Sequence, residues 1–417
     1  VYLSIHYDAI QITVCPSGRF LEIAAMSGLS LVLLTVLMVA SGQMTQTLYV
    51  PAMGDMAAAL GVTSQALPLV MAFYLIPYGL FQFVYGPLSD RFGRRPVLLA
   101  GLSVYVLGSA LILAWPSYIV LLLGSFIQGA GTAAAGSLCR SLMRDKFEGT
   151  DLVRYNGYVS MGIMLAPLLA PLIGGWLNLR FGWQSMYLFL FAMGLAITLV
   201  MVFLFRETLP AARRHAQPML PAYRYVLHDA GFRRQLGMLI ATFAGVILYE
   251  AVFSVLVAAQ SGLSSAEISV LFILPLPLYF AGAMMASWKA GSWSVRRLQW
   301  LAGAGLLAGA VIVLGTAFDP RLAVAGLVLG GSLYFAGAGL LFPVATSRAV
   351  APFPQHSGTA GALLGGSSNL GGGLFLLVQG GLPQMNQLVL GGLLLACAGL
   401  VVWFLLPGSE AVPEPGI

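Results

Sequence analysis

The chain holds 14 acidic residues, and of these Glu250 falls near the middle of a long apolar run. An ionised carboxylate inside a bilayer costs about 2.5–3.5 kcal/mol on insertion scales. Such a group is expected to exchange between protonated and charged forms. Proton-coupled carriage needs that behaviour, one site that takes either a proton or a cationic ligand. The competing reading is a permanently protonated Glu250 held in a structural hydrogen bond. Asp55 is a secondary candidate near the outer mouth, where a solvated loop acid is the plainer reading.

Polar and aromatic residues suggest a wall around such a site. Gln43 and Gln46 are three apart and share a helix face. Tyr74, Tyr78, Gln82 and Tyr85 follow a second helical track. A Tyr/Gln stripe facing lipid would be wasteful, so it is expected to face a cavity or to bond a neighbouring helix. Tyr249, Phe253 and Phe272 supply aromatic surface near Glu250, suited to flat, lipophilic, often cationic ligands. Arg140, Arg144 and Asp145 read as gate ion pairs, lipid-headgroup ligands or topology signals.

Other chemistries find no footing. His6, His215, His228 and His356 lie outside the apolar runs or at their edges, and no HExxH, GxSxG or phosphate-cradling glycine loop occurs in usable context. An enzyme and an ATP-driven pump are thereby excluded. A channel would need a filter or charged rings. Cys15, Cys139 and Cys397 have neither disulfide nor metal spacing. No metal or cofactor is expected; protons are the coupling ion.

The elements that position these residues are legible from hydropathy. The 417 residues are 59% hydrophobic and 8% charged, with mean hydropathy +0.90. Soluble chains carry about 25% charged residues, so lipid must be the solvent. An all-α membrane protein with twelve spans is expected, at 28–50, 66–88, 97–114, 118–139, 154–177, 183–205, 235–259, 267–288, 298–317, 322–347, 358–381 and 386–407.

Arginines and lysines test this division. They cluster after spans two, four, six, eight and ten, while the opposite side has Arg180 and Arg321. The positive-inside rule makes the basic face cytoplasmic, with both termini inside. The net charge of +6 is thus a topology signal beside anionic lipid, and no nucleic acid is expected as a partner. Residues 206–234, basic and containing Pro210, Pro218 and Pro221, separate a six-helix bundle at 26–205 from another at 235–407, with a tail at 408–417. Two such halves are the plan of many secondary transporters. Residues 1–25 show no clear periodicity, and the native chain is expected to start near Met26.

Two strings are more specific. Gly86-Pro87-Leu88-Ser89-Asp90-Arg91-Phe92-Gly93-Arg94-Arg95 sits between spans two and three, where the chain must reverse tightly. Gly162 is followed in span five by Ala166-Pro167-Leu168-Leu169-Ala170-Pro171-Leu172-Ile173-Gly174-Gly175. Its prolines loosen a helix, and its small residues admit a close neighbour. The first string resembles the signature loop of the major facilitator superfamily. The second resembles the antiporter motif of its drug-exporting bicyclomycin and chloramphenicol resistance branch. The resemblance runs from about Met26 to Pro407. It implies the major facilitator fold and drug/proton antiport by alternating access across a bacterial inner membrane, and a monomer is expected. It also implies that Asp90, Arg91, Arg94 and Arg95 form a gate closing near Ser357. Ser125 and Thr47 stand where related exporters carry a basic and an acidic residue, so their proton pathway is not transferred. A proton-coupled carrier of a polar metabolite is the alternative; the scarcity of charge around Glu250 favours lipophilic cargo.

Overall fold

In a computed structural model, the described residues are 3–7, 10–14, 22–23, 28–214, 219–382 and 385–406. Among them, 12 helical segments are long and apolar enough to cross a membrane. Helix α1 (Gly28–Thr47) leads through a 3-10 turn (Val50–Ala52) into α2 (Met53–Leu60). Helices α3 (Pro68–Phe92), α4 (Arg94–Ala114), α5 (Tyr118–Lys146), α6 (Gly149–Phe181) and α7 (Gln184–Leu204) follow. A short helix, α8 (Met219–His228), precedes α9 (Ala230–Ser261), α10 (Ser265–Ile273), α11 (Pro275–Lys289), α12 (Val295–Gly315), α13 (Ala323–Val350), α14 (Ser357–Gly380) and α15 (Gln387–Leu405).

Ahead of α1, and outside the all-α membrane body, lies a small sheet. Leu3–Tyr7, Ile10–Val14 and Glu22–Ile23 pair as an antiparallel sheet, β1–β3. Ile10, Ile12 and Val14 alternate with Gln11 and Thr13, the two-residue period of a strand. The membrane body itself is helical.

Element ends differ from the apolar runs where helices outlast their hydrophobic stretch. Span one does not end at Pro51. Pro51 occupies the first turn of the 3-10 segment, where its missing N–H costs nothing, and Asp55 sits in the first turn of α2, favourable to its dipole. Helix α3 continues through Pro87 to Phe92. Most of the expected signature loop is therefore helix, and the reversal falls on Gly93, whose φ of 101° disfavours any side chain. Helix α5 extends past its apolar run to Lys146. Span eight is broken into α10 and α11 at Pro275, which opens α11.

Helices α1 and α3–α7 pack on one another, as do α9–α15. The two groups share a seam pattern. Helices α4 and α5 meet through Gly101 against Gly131 and Gly108 against Gly124, whereas α12 and α13 meet through Gly309 against Gly330 and Gly305 against Gly337. Such glycine contacts let backbones approach where lipid gives no hydrophobic drive. The main contacts between the groups are α3 with α14 and α6 with α10. In the following, the basic end is the one carrying Gly93, Lys146 and Lys289; the far end carries Gly61, Gly182 and Gly262.

Candidate functional site

The far end is closed by close backbone approach. A Cβ at Gly175 of α6 would collide with the Ser269 hydroxyl of α10, in the other half. A Cβ at Gly174 would collide with the Leu48 carbonyl, within the first half, and one at Gly162 with Val36. Ala166, Ala170 and Pro171 are buried, while Pro167 is half-buried. The antiporter string thus lines the seams of α6 with α1 and α10. Beside it, Ser265 of α10 donates to Asp55 Oδ2 at 2.5 Å, and Asn178 of α6 donates to the same oxygen at 2.5 Å. Asp55 is therefore no isolated loop acid; it ties α2, α6 and α10 together across the two halves. Further in, Gly79 of α3 lies against the backbone of Gly366 and Leu370 on α14.

Glu250 lies beyond the midpoint of α9, toward this closed end, with 6% of its surface exposed. Gln46 of α1, in the other half, lies near its side chain. The carboxyl oxygen Oε2 is buried without a hydrogen-bond partner, as is the Ser254 hydroxyl one turn on. A buried acceptor left unpaired costs about 1–3 kcal/mol, and protonation turns that oxygen into a neutral O–H.

The aromatic candidates occupy packed seams. Tyr249 donates to the Leu327 carbonyl of α13 at 2.9 Å. Its ring meets Phe253 at 5.3 Å, and Phe253 meets Phe272 at 5.8 Å. Phe253 is 0% exposed. Tyr74 donates to the Gly42 carbonyl at 2.7 Å, contacts the Thr132 hydroxyl at 2.9 Å and stacks on Tyr78. Tyr78 lies beside Gln43 and Gln82.

At the basic end the halves part around a cavity of about 970 Å³. Its walls include Gln82, Asp90, Arg140, Arg144, His356 and Asn369. Of the eight residues expected to line a cavity, Gln82 does so here. Gln43, Gln46, Tyr74, Tyr78, Tyr249, Phe253 and Phe272 do not line this cavity. The reason lies in packing within each half: Tyr74 is held against α1 and α5, and Tyr249, Phe253 and Phe272 against one another and α13. A line of polar side chains nevertheless leads inward from the cavity through Gln82 and Tyr78 to Gln43, one helical turn from Gln46.

The signature string builds a charge network inside the first half. Arg94, almost buried, reaches Asp90 at 2.5 Å, the Ser89 hydroxyl at 2.5 Å and Asp145 of α5 at 2.9 Å. The backbone N–H groups of Arg94 and Arg95 donate to Glu207 at 2.8 and 3.2 Å. Gly93 has no room for a side chain beside the same carboxylate. Arg95 also donates to the Val202 carbonyl, while Arg91 lies over the Phe92 ring and Gly86 has open space around it. Asp145, read with Arg140 and Arg144, belongs instead to Arg94. Asp90 does not contact Ser357 in this conformation; both line the cavity. Gly358, at the start of α14, faces the guanidinium of Arg144. Helix α8 spans the gap. Tyr223 donates to the Phe83 carbonyl of α3 at 3.0 Å, and Tyr225 contacts the His356 ring. Burial, and secondarily the Asp90 charge, raise the Tyr223 phenol above its ordinary value, which keeps it a donor.

Residues 33–376 match the family model of the Major Facilitator Superfamily. The chain is 42% identical to Multidrug resistance protein D of Escherichia coli K12, over 93% of this chain and 98% of that protein. It is 26% identical to Multidrug resistance protein MdtL of Klebsiella pneumoniae strain 342, over 84% of this chain and 88% of that one. Among solved structures, the POT family transporter PepTSo superposes with a TM-score of 0.71 at 13% identity, covering 90% of this chain and 97% of that one. A bacterial homolog of the human lysosomal transporter Spinster gives 0.67 at 17%, covering 90% and 93%. The chain belongs to the Major Facilitator Superfamily of membrane transporters.

Proposed function

We propose that this protein exports lipophilic, drug-like molecules across a bacterial inner membrane in exchange for protons, by alternating access. The observation that carries the reading is Glu250, a carboxyl buried in α9 whose Oε2 has no hydrogen-bond partner. The names of the similar multidrug resistance proteins support the cargo class. With the basic end cytoplasmic and both termini inside, the cavity opens to the cytoplasm. Cargo enters from there or from the inner leaflet. Glu250 gives up its proton inward, along the track of Gln43, Tyr78 and Gln82, when cargo arrives. The halves then rock, the far end parts and Glu250 is recharged from outside. The protein works as a monomer without a cofactor other than the proton.

Proteoliposomes with an imposed proton gradient test this. Wild type is expected to exchange lipophilic cations for protons, and Glu250→Gln to lose coupling while still binding cargo. Tyr78→Phe is expected to slow proton release and leave cargo binding unchanged. A coupled Glu250→Gln protein would remove the residue assignment and keep the function. A second reading, a carrier of a polar metabolite, draws on the cavity's Arg140, Arg144, Asn156 and Asn369. It gains if wild type moves no lipophilic compound and does move polar solutes.

A further inference from the structure

The turn joining α11 to α12 holds cations in a fixed arrangement. Helix α11 ends at Lys289, Gly291 adopts a φ of 82°, and Ser294 caps α12 by accepting from the Arg297 N–H at 3.3 Å. The Trp293 N–H donates to the Lys289 carbonyl at 3.0 Å. This geometry brings two cations onto Trp293. The Lys289 ammonium lies 4.1 Å from the Trp288 ring and 5.2 Å from Trp293. The Arg297 guanidinium lies 4.2 Å from the same Trp293 ring. Ring faces hold these cations without neutralising them.

The corresponding turn of the first half, between α3 and α4, is different. There Arg94 is paired with Asp90 and Asp145, and Arg214 with Glu207. From residue 235 to 407 the sequence contains three acids, Glu250, Glu267 and Asp319. The first is buried in α9 and the other two stand at the far end. Among the described residues neither Lys289 nor Arg297 forms an ion pair. Below them the surface turns apolar, with Met284 and Trp288 strongly exposed. Cations above an exposed apolar flank match an amphiphile with an anionic head and a hydrocarbon tail.

We propose that Lys289 and Arg297, splinted by Trp288 and Trp293, form a site for the headgroup of an anionic phospholipid, whose acyl chains lie along the exposed face of α11. The phosphate supplies the anion that Asp90, Asp145 and Glu207 supply in the first half. The site is distinct from the transport cavity and does not depend on the cargo.

Native mass spectrometry of the full chain, titrated with phosphatidylglycerol and separately with phosphatidylcholine, reads the site. Wild type is expected to prefer phosphatidylglycerol, and Lys289→Gln/Arg297→Gln to lower its affinity by about tenfold. Trp293→Leu is expected to lower it less, by releasing both cations. Arg348→Gln, which removes a basic-end charge with no ring beside it, is the control and should leave the lipid bound as in wild type. Equal loss in the control would reduce the effect to general surface charge and overturn the proposal. Unchanged lipid binding in the double variant would overturn it as well. So would wild-type binding that inorganic phosphate displaces, because a headgroup anchored by its chains resists that competition. Lipid binding lost together with Glu410→Gln/Glu414→Gln, while Lys289→Gln/Arg297→Gln retains it, would place the site elsewhere and also overturn it.

Discussion

The far end and the basic end of this molecule differ in what joins their helices. At the far end, the halves meet through Gly175 on Ser269 and the Ser265 bond to Asp55, an acid that Asn178 also holds from within the first half. Among the described residues no ion pair lies there. At the basic end, all three ion pairs among the described residues lie within the first half and its linker, and none crosses the cavity. A hydrogen bond contributes about 0.5–1.5 kcal/mol net, and close-packed surfaces separate without exposing an orphaned charge. Breaking a buried ion pair costs about 3–5 kcal/mol. The seam that must open in a transport cycle is thus built from weak, reversible contacts. The strong contacts keep one half rigid while it moves.

Arg94→Gln should break this contrast most severely. It strips Asp145 and Asp90 of their common partner, and about 3–5 kcal/mol of stability is expected to go. A fall in melting temperature in detergent would register it. An unchanged melting temperature would mean that the acids of the first half are independently solvated, and the division of labour would fail.

The next largest effect separates two adjacent glycines. Gly175→Val presses on Ser269 of the other half and should destabilise the far-end-closed state by about 1–3 kcal/mol. Gly174→Val presses on Leu48 within its own half and should lower stability in every state. Electron-resonance distances between labels placed across the far end distinguish them. Gly175→Val should lengthen the distance distribution, and identical behaviour of the two variants would remove the conformational role of the seam. Ser265→Ala deletes one bond to Asp55, worth about 1 kcal/mol, and should shift the same populations about fivefold.

How much of this was legible beforehand follows from the kind of signal each feature leaves. Spans of about 20 apolar residues announce themselves, and the alternation of basic turns brought their number to twelve. Their ends were misjudged wherever a helix runs on into polar sequence, as α5 does to Lys146, because hydropathy stops at the lipid boundary and hydrogen bonding does not. Glu250 was visible as a lone intramembrane acid. Gln46 is marked by its helix face but not by its closeness to Glu250, since the two lie in different halves and no local spacing links them. Asp145 and Glu207 were missed as partners of the signature string for the same reason. The aromatic residues around Glu250 were recognised by type, yet composition cannot say whether a ring lines open space or a seam. That depends on how the helices of one half pack against each other.

Asp90→Asn is the smallest perturbation and tests what the open end is for. Asp90 is half exposed, and Arg94 keeps Asp145 and the Ser89 hydroxyl without it. An exposed ion pair is worth about 0–1 kcal/mol, so the melting temperature should hardly move. When the basic end closes, the carboxylate would meet the start of α14 near Ser357, where a helix N-terminus favours an anion by about 0.3–1 kcal/mol. Asparagine forfeits that attraction, so the state closed at the basic end should become about threefold less populated. Label distances across the cavity, from α5 to α14, would read the shift. Loss of stability with unchanged populations would make Asp90 a structural partner of Arg94. Unchanged stability with shifted populations would make it half of a gate whose other half lies across the cavity.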